Sequence, residues 1–248
     1  MTGSDGGLHL VRMGFDSRQL YVEARGQHLP VQEIDLGYLI HCRLTDLFGA
    51  DAPKPFSIIA REERVVEVLG YSRRPAIELT SGAKGERSRG ETAGFVWQRF
   101  ASRQVPLGWK VGQRVGFSLR ACPVQRMAGD GPSWTKGAEV DVFLAECWRV
   151  GSGKEVDREK VYLAWLERGL AALGGARLET GRLSAYQRER LFRRSRGGPG
   201  PRVERPAACF EGILRVTDPE AFRRLLARGV GRHRAFGFGM LLLKPARA

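Results

Sequence analysis

The chain has 248 residues, of which 42% are hydrophobic and 27% charged, enough apolar material for one large domain or two smaller ones with real cores. Its 41 Lys and Arg outnumber its 27 Asp and Glu, leaving a net charge of +14, which draws polyanions and says nothing about fold. No run of about 18 apolar residues exists, so a transmembrane helix is excluded, and residues 1–5 lack the basic start and apolar core of a secretory signal. Cys42, Cys122, Cys147 and Cys209 are far apart and show no metal-ligand spacing, the pattern of a protein in a reducing cytoplasm.

In chain order, residues 8–15 read as a first strand, and residues 17–33 are mixed. Residues 35–49 form the first strong helix, with Asp35 as N-cap and Gly49 as stop. At about 100° per residue, Leu36, Ile40, Leu44 and Leu47 make its core stripe, while Tyr38, His41 and Thr45 fall on the opposite side. Pro53-Lys-Pro breaks the chain, and two strands follow over 56–61 and 64–71. Residues 72–92, rich in Gly, Ser and charge, read as a mobile loop, and 95–101 as a closing strand. The first half is therefore β-α-β-β-loop-β, with its second helix weak or missing.

A turn at Pro106-Leu-Gly-Trp starts the second half. Val115, Phe117, Leu119 and Ala121 alternate as a half-buried strand, with Pro123 marking an edge or bulge, and residues 127–140 read as a surface loop. Asp157 caps a helix carrying Leu163, Leu166, Leu170 and Leu173 up to Gly174-Gly175. A strand over 177–183 leads into an excursion, a strand over 209–217 follows, and Asp218, Pro219 and Glu220 open the last helix. The order is β-α-β-β-α-β. The whole reads as an α+β protein of tandem ferredoxin-like (RRM-like) domains, residues 1–105 and 106–248.

Two basic features stand out. Between Arg182 and Arg205 lie eight arginines and two glutamates, with Arg188, Arg190, Arg193, Arg194 and Arg196 leading to a Gly-Pro tip. Such charge runs are often merely solvated, but arginine's planar fork suits phosphate and guanine. The second is Gly229-Val-Gly-Arg-His-Arg-Ala-Phe-Gly-Phe-Gly-Met. Gly231, Gly237 and Gly239 let backbone N–H groups approach phosphate closely, beside Arg232, His233 and Arg234. It is neither a dinucleotide fingerprint nor a Walker loop, because the helix precedes the glycines and no Gly-Lys-Ser/Thr closes them.

Among the four histidines, His9, His28, His41 and His233, none has metal-ligand spacing, and neither a metal nor another cofactor is indicated. Three segments together resemble the RAMP superfamily, and within it the CasE branch, the repeat-cleaving endoribonucleases of type I-E CRISPR systems. They are the 210–243 glycine-bearing signature, Leu119-Arg-Ala-Cys-Pro-Val-Gln-Arg126 (with Arg120 and Arg126 as RNA contacts), and Tyr38-Leu-Ile-His41. The resemblance implies catalysis by His41 and Tyr38, without metal, on CRISPR precursor RNA at the base of the repeat hairpin. It also implies retention of the crRNA hairpin and assembly with other Cascade subunits, away from any membrane. RNA supplies its own nucleophile, the 2′-hydroxyl, so proton transfer and charge stabilisation suffice. The expected ends are a 5′-hydroxyl and a 2′,3′-cyclic or 3′-phosphate. Some relatives carry a lysine late in the first helix where this chain has Asp46, which leaves Arg43 or a loop arginine as the cationic helper. The rival reading is a non-catalytic RNA-binding scaffold, a silent RAMP subunit or a ribosome-associated protein.

Overall fold

A computed structural model describes residues 7–26, 35–83, 94–131, 133–152, 154–191, 194–195, 198–199 and 203–246. The first part runs β1 (His9–Asp16), α1 (Ser17–Gly26), α2 (Leu36–Phe48), β2 (Phe56–Glu62), β3 (Val65–Ser72), α3 (Ala76–Gly82) and β4 (Ala101–Gln104). Its strands make one antiparallel sheet in the order β2-β3-β1-β4. Every second residue of β1, Val11, Met13 and Phe15, is fully buried, and these meet Leu20 and Ala24 of α1 and Ile40, Leu44 and Leu47 of α2. That is the period-2 face of a strand against the 3.6-period stripe of a helix.

The second part runs β5 (Arg114–Ala121), β6 (Val124–Arg126), β7 (Glu139–Asp141), α4 (Val142–Val150), α5 (Arg158–Leu173), β8 (Ala176–Leu191), β9 (Arg194–Ser195), β10 (Gly198–Pro199), β11 (Val203–Val216), α6 (Pro219–Arg228) and β12 (Leu241–Lys244). Its main sheet is antiparallel in the order β12-β5-β11-β8. Phe117 and Phe210 from the sheet pack on Leu166 and Leu170 of α5 and on Phe222, Leu225 and Leu226 of α6. Caps fix the helix starts: Asp35 accepts from the Tyr38 amide, Asp157 from Lys160, and Asp218 from Glu220 and Ala221.

Four sequence expectations change. Residues 17–26 are helix α1, so the first crossover carries two helices. Part of the expected loop over 72–92 is α3, whose seven residues bury only Leu79; so short an element carries little periodic signal. The expected strand over 95–101 is a single bridge at Phe95 and a 3-10 turn over Trp97–Arg99, with strand pairing only from Ala101. Its aromatics turn inward together: Phe95, Trp97 and Phe100 interlock around Phe48. The expected surface loop over 127–140 ends in β7, which pairs with β6 and runs into α4.

Two features position the site. Strands β8 and β11 pair from Ala176–Val216 out to Leu191–Val203, whereas β5 covers β11 only over residues 208–215. The outer ends therefore project past the sheet as a two-stranded ribbon. The two sheets also interlock: the buried Tyr71 hydroxyl donates to the Leu241 carbonyl at 2.9 Å, Leu8 and Val105 pack into the second core, and Phe236 packs into the first.

Candidate active site and RNA interface

The glycine-bearing segment folds back on itself between α6 and β12. The Val230 amide donates to the Gly239 carbonyl at 2.8 Å, and the Gly239 amide donates to the Arg120 carbonyl at 2.7 Å. Gly239 has φ +81, and a β-carbon there would collide with the Val230 carbonyl oxygen, so the closed loop admits no other side chain. Residues Arg234–Phe236 form a 3-10 turn that follows His233, itself left-handed at φ 59.

This turn lands on the first turn of α2. A β-carbon at Gly37 would collide with the Phe236 carbonyl oxygen, so glycine permits the contact. The Phe236 ring stacks on Tyr38, with centroids 6.0 Å apart and planes 9° apart. It also lies 5.6 Å from the His41 ring at 56° and 6.2 Å from the His233 ring. One phenylalanine thus joins the histidine helix to the arginine-bearing loop. His41 is half-buried, open to solvent on one side. Burial first, and the Lys54 charge second, hold its imidazole below the ordinary histidine pKa, with Asp46 pulling the other way. It is therefore neutral, and able to accept a proton, at neutral pH.

Tyr38 departs from the expected outward face. It is only 8% exposed and belongs to the first core. The Phe236 ring of the glycine-bearing segment lies against it. Arg43 departs too: at 6% exposure it cannot reach a substrate and is ruled out as the cationic helper.

The expected RNA contacts divide into groups. Arg188 and Arg190 stand on the projecting ribbon, 59% and 69% exposed, sharing Glu204 at 3.3 and 3.6 Å. Exposed pairs of this kind are weak enough to yield to phosphate. Arg126 is exposed on β6. Arg193 and Arg196 lie outside the described residues, and of Arg194 only the backbone, in β9, is described.

Arg120 is not a free contact. Its guanidinium pairs with Glu189, lies 4.0 Å over the Phe238 ring and donates to the Gly237 carbonyl at 3.3 Å. It braces the glycine loop from beneath. His233 is likewise committed: its side chain is 7% exposed, with Nε2 3.0 Å from Glu139 Oε2. Phosphate binding or base stacking by that ring is corrected to loop anchoring. Glu139, 9% exposed, also meets Arg205 at 3.4 Å and Arg232 at 2.5 Å. Burial alone would raise its pKa; the surrounding His233, Arg232 and Arg205 charges outweigh that and hold the carboxyl below its usual range.

Arg232 keeps 46% of its side chain exposed. Arg234 donates to the Arg228 carbonyl at 2.5 Å, and burial together with Arg228 and Arg232 makes its charge unfavourable. A crowd of like charges of this kind is relieved by a polyanion. These groups line a cavity of about 1170 Å³ between the two sheets, with Lys54, Arg73, Arg74, Arg228, Arg232 and Phe236 on its walls. Sequence reasoning missed Lys54, Glu139 and Phe236. The aromatic in Ala235-Phe-Gly-Phe-Gly was a usable signal, whereas Glu139 becomes meaningful only through long-range pairing. No group of three or more possible metal ligands occurs among the described residues, and none of their helices is long and apolar enough to cross a membrane.

The chain is 36% identical over 143 residues to the CRISPR-associated endoribonuclease Cse3 of Thermus thermophilus, a stretch covering 55% of this chain and 58% of that protein. It is 29% identical over 144 residues to the CRISPR system Cascade subunit CasE of Escherichia coli (strain K12), covering 58% of this chain and 64% of the relative. These matches thus span less than two thirds of either relative. A solved structure of CRISPR endoribonuclease Cse3 bound to a 19-nucleotide RNA superposes with a TM-score of 0.65 over 97% of this chain and all of that one, at 22% identity, which shows a shared α+β fold. Residues 8–245 match the family model described as CRISPR associated protein. With this match across nearly its whole length, the chain belongs to the CRISPR-associated protein family.

Proposed function

We propose that the protein is a metal-independent endoribonuclease that cuts CRISPR precursor RNA at the base of the repeat hairpin. It then keeps the crRNA hairpin as a subunit of a Cascade complex, in the cytoplasm. The observation that carries this reading is the half-buried His41 ring 5.6 Å from Phe236, in the turn that bears Arg232 and Arg234. A proton acceptor and a phosphate-binding loop are thereby held together. The strand orders β4-β1-β3-β2 and β12-β5-β11-β8 support tandem ferredoxin-like domains, residues 1–105 and 106–248, meeting at that junction.

In the proposed reaction the ribose 2′-oxygen attacks phosphorus and its proton passes to neutral His41. The P–O5′ bond breaks, and the departing oxygen takes a proton from water, whose hydroxide recovers the proton from the imidazolium. The products are a 2′,3′-cyclic phosphate and a 5′-hydroxyl. Tyr38, whose ring stacks on Phe236, positions the helix turn. The exposed arginines of the ribbon would meet the A-form stem, which is read by shape and phosphate.

The test is cleavage of a labelled repeat hairpin in EDTA by the wild type and by His41→Ala. Cleavage by the wild type alone, with hairpin binding retained by both, is the expected result. If neither cuts while both bind, the protein is an RNA-binding scaffold. If both cut alike, His41 is not the proton acceptor.

A further inference from the structure

The phosphate at the scissile bond gains negative charge as the 2′-oxygen attacks, and a cation placed there is worth far more than one on the rim. Resting on the reading of His41 above, we propose that Lys54 is that cation: a catalytic residue whose ammonium meets the phosphate held between His41 and the glycine loop. Several nearby arginines compete poorly for this role, and of the cavity-wall cations Lys54 is the one whose charge acts on the His41 ring. Arg43 is buried, Arg120 is engaged by Glu189 and Phe238, Arg232 by Glu139, and Arg74 by Asp51 at 3.4 Å.

Lys54 is exposed, and no ion pair involves it among the described residues. It shares the wall of the cavity between the sheets with Phe236, the ring that His41 packs against. Its backbone is held still: the Lys54 amide donates to the Tyr71 carbonyl at 2.9 Å, and the Tyr71 amide donates to the Pro55 carbonyl at 3.0 Å. Buried Pro53 and Pro55 flank it, so a mobile side chain rises from a fixed base. Its field also reaches the imidazole. Of the charged groups around His41, Arg43 and Asp46 lie on its own helix, Lys54 on the turn beyond, and His233 and Arg234 on the loop carrying Phe236. Lys54 and Asp46 are the two whose charge acts on the ring. The lysine remains protonated throughout and forms no bond to phosphorus, so the proton balance of the reaction is unchanged.

Lys54→Met keeps length and removes charge at an exposed position, and Lys54→Arg restores charge with a different shape. Single-turnover cleavage, hairpin binding and the pH dependence of the rate are measured for both beside His41→Ala. Lys54→Met is expected to slow cleavage about 100-fold and to weaken binding by no more than one phosphate contact. Its acidic rate limb should move upward towards the ordinary histidine value, with Lys54→Arg falling between it and the wild type. A Lys54→Met enzyme cutting within about twofold of the wild type, or slowed only in proportion to lost binding, overturns the proposal. An inactive His41→Ala beside a fully active Lys54→Met sinks Lys54 alone, whereas an active His41→Ala sinks the underlying reading.

Discussion

Removal of the Phe236 ring tests whether the contact between α2 and the glycine-bearing segment builds the candidate active site. A wholly buried Phe→Ala costs about 3–5 kcal/mol. Phe236 is half-buried, so about half of that applies, roughly 2 kcal/mol, or a melting shift of about 4–8 °C for a chain this long. Phe236→Leu keeps most of the apolar contact and loses the ring pairing with Tyr38, 6.0 Å away and near parallel, a term of about 0.5–1.5 kcal/mol. The catalytic effect should exceed the stability effect. Without the ring, His41 loses the contact at 5.6 Å that sets its attitude to the loop, and a misplacement of about 1 Å costs about 100-fold in rate. Phe236→Ala should therefore slow single-turnover cleavage about 100-fold and Phe236→Leu about tenfold. Hairpin affinity should change little, because Arg188 and Arg190 on the ribbon keep their shared partner Glu204. Cleavage by Phe236→Ala at the wild-type rate, with only the melting temperature lowered, would show that the ring stabilises the fold without orienting the imidazole.

The pH dependence of cleavage follows from the direction of the His41 shift. With the pKa below its ordinary value through burial and Lys54, the neutral base is already present at neutral pH. The rate should be flat there and fall only on acidification below about 6.5, whereas a rate that keeps rising through pH 7 would assign the limb to another group. Glu139→Gln removes the shared partner of Arg205, Arg232 and His233. The cost should be about 2–3 kcal/mol by chemical denaturation, below the about 3–5 kcal/mol of a fully buried pair because Arg232 is half exposed. The Glu139 carboxyl has a depressed folded-state pKa, so its contribution is whole above the ordinary carboxylate range and fades as pH falls towards the depressed value. The variant should lose this part of the acid sensitivity, and an unchanged melting profile between pH 3 and 6 would contradict it.

Local signals carried most of the fold. The caps at Asp35, Asp157 and Asp218 and the alternation in Val115, Phe117, Leu119 and Ala121 each rest on neighbours a few residues apart, which a sequence displays directly. What it hid depends on distant pairs. Tyr38 falls opposite the apolar stripe of its own helix, yet it is buried, and Phe236, 198 positions later, stacks on it. The His233 ring reads as a free RNA contact until Glu139 arrives from β7. Arg120 looks like one more arginine of a basic chain, yet Glu189 and Phe238 make it a brace. In each case charge or polarity was visible and the partner that cancels it was not.

Net charge is therefore a poor guide to which arginines serve the RNA. The chain's excess of +14 includes residues whose charge is matched internally: Arg120 by Glu189, Arg205 and Arg232 by Glu139. Those pairs anchor the glycine loop. Two further groups of cations bear on the proposed function, the ribbon with Arg188 and Arg190, which share the exposed Glu204, and the cavity wall with Lys54, Arg73 and Arg228. The ribbon projects past the second sheet and suits a duplex read by shape, while the cavity is walled by Phe236, the ring that His41 packs against, and suits a single strand at the cut. Under the proposed function, binding and cutting fall to different cations. The two can be separated by mutation because the Phe236 ring meets His41 and His233, whereas Arg188 and Arg190 pair with Glu204 on the ribbon.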